Sequence, residues 1–133
     1  MNIFILSRNK NLYSTSRLAE SGTNRGHTIR VIDYMRCYMN ITSKSSKMYY
    51  GGESLGTVDA IIPRIGASNT FYGTAVVKQF EMMDCYCVNT SESIANSRDK
   101  LRSLQILAEA GINMPITGFA SHTKDIEGVI QTV

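Results

Sequence analysis

The chain has 133 residues, a size that holds one substantial hydrophobic core and excludes two full-size catalytic domains. Hydrophobic residues make up 43% and charged residues 19%, which excludes disorder as a description of the whole. The net charge of +3 comes from 14 Lys and Arg against 11 Asp and Glu scattered along the sequence, so no basic block marks a nucleic-acid arm.

In chain order, the β-branched run at 2–6 predicts a strand, and spaced apolar residues over 12–25, stopped at Gly26, predict a helix. Residues 28–33 (TIRVID) and 58–62 (VDAII, closed by Pro63) read as further strands. Between them, 39–42 and 47–50 followed by Gly51 and Gly52 predict a small hairpin excursion. Asn69 or Thr70 can cap a helix over 71–83, in which Tyr72, Val76, Phe80 and Met83 form a core-facing stripe. A short strand at 85–88 and a brief helical turn from Ser91 precede the clearest helix, 98–110, for which Asn96 and Ser97 are the expected caps and Gly111 the stop.

Strands alternating with helices predict an α/β domain, a mostly parallel sheet covered on both faces, reaching about residue 93. The tail differs. Thr123 can cap a last helix carrying Asp125 and Glu127 in its first turn and Ile126, Val129, Ile130 and Val133 on one face. That face has no evident packing partner and the pattern runs to the last residue without a stop signal, so a cut inside a larger protein is expected, and self-association into a homo-oligomer with it.

No apolar run approaches the roughly 20 residues that a bilayer requires, and no signal-peptide pattern opens the chain, so a cytoplasmic product without a membrane partner is expected. The three cysteines, Cys37, Cys85 and Cys87, read as reduced packing thiols. A metal site on Cys85 and Cys87 would need two more ligands, and His27 and His122 are not suitably spaced.

Ligands of open parallel sheets sit beyond the carboxyl ends of the strands, which here means the loops starting at Ser7, Tyr34, Pro63 and Asn89. The first of these, SRNKNLYSTS, has no glycine and so lacks the dinucleotide fingerprint; neither a P-loop nor a nucleophile elbow occurs. Arg64 follows a strand directly, which places a planar cationic fork at the sheet edge where a carboxylate or phosphate could dock, the competing reading being an ordinary surface arginine. At about 100° per residue, with Leu101 at zero, Leu104, Leu107 and Ala108 fall at about 300°, 240° and 340°, and Lys100 at about 260° inside the same sector. A cation in the first turn opposes the helix dipole by roughly 0.3 to 1 kcal/mol, a mismatch that a bound anion would relieve. The alternative is a lysine that lays its stem on apolar surface and keeps its ammonium in water.

The run NSRDKLRSLQILAEAGINMP at 96–115 resembles the opening of the ATP-grasp module of carboxylate-amine ligases. Together with MNIFILSRN, RCYMNI, PRIG, FYGTA and QFE, the chain resembles the N-terminal part of the RimK family of ribosomal-protein modification ligases over nearly its whole length. The resemblance implies a three-layer, Rossmann-like pre-ATP-grasp domain at 1–93 and a truncated start of an ATP-grasp domain at 94–133. It implies ATP-dependent activation of a carboxylate as an acyl phosphate, attacked by an amine, with glutamate added to the C-terminus of a small-subunit ribosomal protein. Lys100 would contact ATP, Asp99 would serve the helix terminus first, and Arg64 and Asn89 are substrate-contact candidates. The glycine-rich loop and the acidic ligands of Mg would lie beyond Val133, so no catalytic or metal-ligating residue is assigned within the chain and the fragment alone is expected to be inactive. The competing readings are a sibling ligase with another acceptor and a stand-alone α/β binding or assembly module without catalysis. Direct nucleic-acid binding is not expected, because Tyr49 and Tyr50 stand beside glycines without a basic stripe.

Overall fold

In the computed structural model, which describes residues 1–43 and 45–133, the chain folds as two compact units, Met1–Arg98 and Asp99–Val133. The first is built on a four-stranded sheet of β1 (Asn2–Leu6), β2 (Thr28–Ile32), β6 (Ala60–Pro63) and β7 (Tyr86–Cys87), in the order β2-β1-β6-β7. All of its pairings are parallel, in a register that places Leu6 beside both Ile32 and Pro63. As the central strand, β1 is covered on both faces, which is why it reads as an unbroken apolar run rather than an alternating one.

One face of the sheet is covered by helix α1 (Tyr13–Asn24). Ile5 and Thr15 are fully buried there, the Ser7 and Thr15 hydroxyls lie 3.2 Å apart, and a Cβ on Gly22 would lie 2.5 Å from Cδ1 of Ile29. The other face carries Phe4, Leu6 and Ile61 against Val76, Val77 and Phe80 of α2 (Thr70–Glu81). The rings of Phe4 and Phe80 meet edge to face at 6.5 Å. The expected stripe is in place: Val76 and Phe80 are buried, and Tyr72 and Met83 are partly buried against the same core. The expected caps are not. Asn69 makes no side-chain cap, its amide donating to Ser68 Oγ instead, and Thr70 Oγ1 donates back to the carbonyl of Ala67.

The excursion between β2 and β6 is an antiparallel sheet of β3 (Cys37–Ile41), β4 (Ser46–Tyr50) and β5 (Glu53–Ser54). Gly51 and Gly52, with φ of 61° and 92°, close the β4–β5 turn between the paired residues Tyr50 and Glu53, a geometry that favours glycine at both places. Buried Met48 and Cys37 join this sheet to the core, and Tyr72 OH donates to the Cys37 carbonyl at 2.6 Å.

Helix α3 (Ser91–Arg98), expected only as a brief turn, is a full two-turn helix. Its start is held from outside: Ser91 N–H and Oγ donate to the Glu81 carboxylate at 2.6 and 3.1 Å, and Lys78 Nζ lies 3.1 Å from Glu81 Oε2. Burial pushes the Glu81 carboxyl up, but the Ser91 N–H, Lys78 and the Ser91 hydroxyl together outweigh it and hold the group below its ordinary value. A depressed folded pKa contributes stability that is present above the ordinary carboxyl value of 4.5 and lost as pH falls. Glu81→Ala is therefore expected to cost about 1 to 3 kcal/mol at neutral pH and progressively less as the pH falls below 4.5, checked by denaturant melts of both proteins over a descending pH series.

In the second unit, α4 (Lys100–Glu109) is capped by Asp99, whose carboxylate accepts from Arg102 N–H at 3.0 Å. The cap is thus neither Asn96 nor Ser97: both belong to α3, where Ser97 Oγ bonds back to the Ile94 carbonyl. Gly111, at φ 70°, follows the end of α4 as expected. The last helix is shorter than expected, a 3-10 turn at Thr123–Asp125 leading into α5 (Ile126–Ile130). His122 rather than Thr123 provides the cap, its Nδ1 accepting from Lys124 N–H at 3.1 Å. Val129 and Val133 lie against Gly118, while Ile126 and Ile130 remain exposed.

Candidate functional site

The backbone ladder continues one residue past the ends of three sheet strands. Ser7 N–H donates to Ile32 O and Arg64 N–H to Leu6 O, both at 2.9 Å, and Val88 N–H donates to Ile61 O at 3.1 Å. These bonds fix where each loop leaves the carboxyl edge of the sheet. Pro63, which was expected to close its strand, is instead its buried last residue, paired with Leu6. The next bond to β1 is made by Arg64 N–H, which therefore starts its loop at a fixed height, and the missing Pro63 N–H falls on the opposite side of the strand, beyond the last paired residue of β7.

The Arg64 guanidinium donates through Nη2 to Ser14 Oγ at 2.9 Å. Ile65 turns inward and is buried, and Gly66 N–H donates to Tyr34 OH at 3.2 Å. From α3, Arg98 Nη2 reaches the Ile65 carbonyl at 2.8 Å. Between the loop and α3 lies a cleft of about 470 Å³ lined by Arg64, Asn89, Ser93, Ile94, Ser97 and Arg98. Arg64 and Asn89, selected separately as substrate candidates, line this one cleft. Arg98, Ser93 and Ser97 were missed; the available signal was the pair of four-residue spacings, 93 to 97 and 94 to 98, which a full helix turns toward one side.

Lys100 is the first residue of α4 in the second unit, and its side chain is exposed. It lines one groove of about 400 Å³ with Leu101, Leu104, Ala108, Met114 and Phe119. The lysine therefore shares its side of the helix with Leu101, Leu104 and Ala108, and a cation stands beside a mostly apolar channel.

The cysteines take no part in either place. Burial, with Asp33 nearby, pushes the Cys37 thiol up to about 12. Burial, then Cys87 and Asp59, pushes Cys85 to about 12, and burial with Glu81 pushes Cys87 to about 11. Thiols so shifted stay protonated at neutral pH and act as packing groups. Among the described residues no group of three or more His, Cys, Asp or Glu is placed to hold a metal ion, and no helix is long and apolar enough to cross a membrane.

Comparison with known proteins agrees with this architecture. The family model of the RimK PreATP-grasp domain matches residues 1–94. Proteins named probable alpha-L-glutamate ligase from Picosynechococcus sp. and from Vibrio parahaemolyticus are each 61% identical over 133 residues, all of this chain and 44% of theirs. A similar protein from Hydrogenovibrio crunogenus is 58% identical over the same span. The chain thus spans under half the length of the curated relatives it matches. Among solved structures, the ATP-grasp ligase PsnB complexed with minimal precursor superposes with a TM-score of 0.73 at 16% identity, over 96% of this chain and 49% of that one. The macrocyclase MdnB from Microcystis aeruginosa MRC gives 0.70 at 15% identity, over 98% of this chain and 58% of that one. At such identities the likeness is one of fold. A parallel sheet with its loops gathered at the carboxyl edge, matched over 1–94, places this chain in the RimK PreATP-grasp domain family.

Proposed function

We propose that the protein to which this chain belongs is an ATP-dependent carboxylate-amine ligase that adds glutamate to a peptide C-terminus, that of a small-subunit ribosomal protein. The observation that carries this reading is the 61% identity, over all 133 residues, to proteins named probable alpha-L-glutamate ligases. The names of the structural neighbours add support, since PsnB is described with a precursor peptide and AMPPNP, and with Mg and ADP.

In this reading the first unit is the substrate-side domain and Asp99–Val133 opens the nucleotide-binding module. The groove beside Lys100 has the chemistry that a nucleotide requires, an apolar channel for a base with a cation at its margin for phosphate oxygens. ATP, when bound, supplies the phosphoryl group that converts a carboxylate to an acyl phosphate. Lys100 holds phosphate charge, and Asp99 keeps the first turn of α4 in place by accepting from Arg102 N–H. Arg64 and Asn89 contact substrate in the cleft of the first unit. The ligands of magnesium are assigned to the part of the relatives' length that this chain does not span.

Incubation of the full-length protein with ATP, magnesium, glutamate and an acceptor peptide tests the reading. Mass spectrometry is expected to show the peptide heavier by glutamate residues, with ADP released, and to show no product with the 133-residue chain alone. ATP-independent or absent product from the full-length protein refutes the reading, and transfer by the 133-residue chain refutes the division of labour.

A further inference from the structure

Arg64 leaves the end of β6 and Arg98 ends α3, yet both guanidiniums line one cleft. Each uses an Nη2 donor on the protein frame, Arg64 to Ser14 Oγ and Arg98 to the Ile65 carbonyl. A guanidinium carries five N–H donors in one plane, so each retains donors for a second partner. The ion pairs among the described residues are Arg17 with Glu20 and Lys78 with Glu81, so neither cleft arginine is paired with a carboxylate. The other polar lining is Asn89, Ser93 and Ser97, with no acidic side chain. Two permanent cations sharing a cleft repel each other, and an anion between them removes that cost. The cleft, about 470 Å³, falls in the range of small-ligand pockets.

We propose that this cleft binds a small dicarboxylate, free L-glutamate, with Arg64 and Arg98 each taking one carboxylate and Arg98 serving as a residue that separates glutamate from glutamine. The choice of glutamate among dicarboxylates rests on the ligase reading above; the two-cation cleft does not. Amide in place of one carboxylate leaves one guanidinium without its charge partner, and that difference is the source of selectivity.

The test is a titration of the 133-residue chain with L-glutamate, L-glutamine and inorganic phosphate at matched ionic strength, followed by NMR at the arginine side-chain N–H groups. Saturable shifts at Arg64 and Arg98 are expected with glutamate, with glutamine binding about tenfold more weakly. Arg98→Ala is expected to weaken glutamate about tenfold or more and to bring the glutamate-to-glutamine ratio close to one. Because Arg98 also anchors the Ile65 carbonyl, Arg98→Lys, which keeps the charge, provides the second arm and is expected to retain preference for glutamate. A purely structural Arg98 would change melting without changing that ratio, which overturns the proposal, as do absent shifts, equal binding of both amino acids, or tighter binding of phosphate. ATP-dependent ligation by the full-length protein is read separately. Ligation without glutamate binding in this cleft sinks the inference alone, and glutamate binding without ligation sinks the ligase reading alone.

Discussion

Phe80→Ala is expected to destabilise the first unit by about 3 to 5 kcal/mol, the range for deleting a buried aromatic side chain. Phe80 is fully buried, its ring edge-on to Phe4 of the central strand, in a cluster that also takes in Ile61, Val76 and Val77. Natural domains have a total stability of roughly 5 to 15 kcal/mol, so the loss is a large part of the whole. For a domain of this size the melting temperature should fall on the order of 20 °C. Circular dichroism melts of the two proteins check it, and a loss below about 1 kcal/mol would mean that α2 is not the lid of this core. The consequence extends to the cleft, because α2 also carries Glu81, which holds Ser91 at the start of α3, and Gly73, against which Ile65 packs.

That last contact explains why PRIG and FYGTA carry the resemblance together. A Cβ on Gly73 would meet Ile65, at 3.1 Å from its Cδ1 and closer still to Cγ2, so α2 and the loop after β6 approach this tightly only with glycine at 73. The residue after Pro63 is thereby held at the sheet edge, and that much of the site was legible from strand order and motif position. The inner strand β1 was legible for an equally simple reason, since residues buried on both faces, such as Phe4, Ile5 and Leu6, leave an apolar run too short for a helix. What escaped was held by partners remote in sequence. Helix α3 has one large apolar residue, Ile94, and its start depends on a carboxylate ten residues upstream. With α3 read as a turn, Ser97 was spent as a cap, and the Arg98 bond to Ile65, 33 residues away, had no pattern to announce it. Strand β5 has two residues and the turn at Tyr34–Arg36 three, too few for a period to register.

Lys100→Ala, made in the full-length protein, is expected to weaken ATP binding about 10- to 100-fold, the scale of losing hydrogen bonds between a cation and phosphate oxygens. Among the described residues Lys100 forms no ion pair, and it stands in the first turn of α4, where the helix dipole disfavours a cation. Removing the amine should therefore leave the nucleotide-free melting temperature unchanged or raise it slightly, with a gain no larger than roughly 1 kcal/mol. Affinity and stability then move in opposite directions, a signature that general damage to the fold does not produce. Lys100→Arg keeps the charge beside the groove lined by Leu101, Leu104 and Phe119 and should recover most of the affinity. Calorimetric titration with ATP and magnesium, paired with melts in the absence of nucleotide, measures both quantities. An alanine variant that binds ATP as tightly as the parent leaves Lys100 as a solvated lysine on an exposed helix turn, and the nucleotide site must then be sought among other residues.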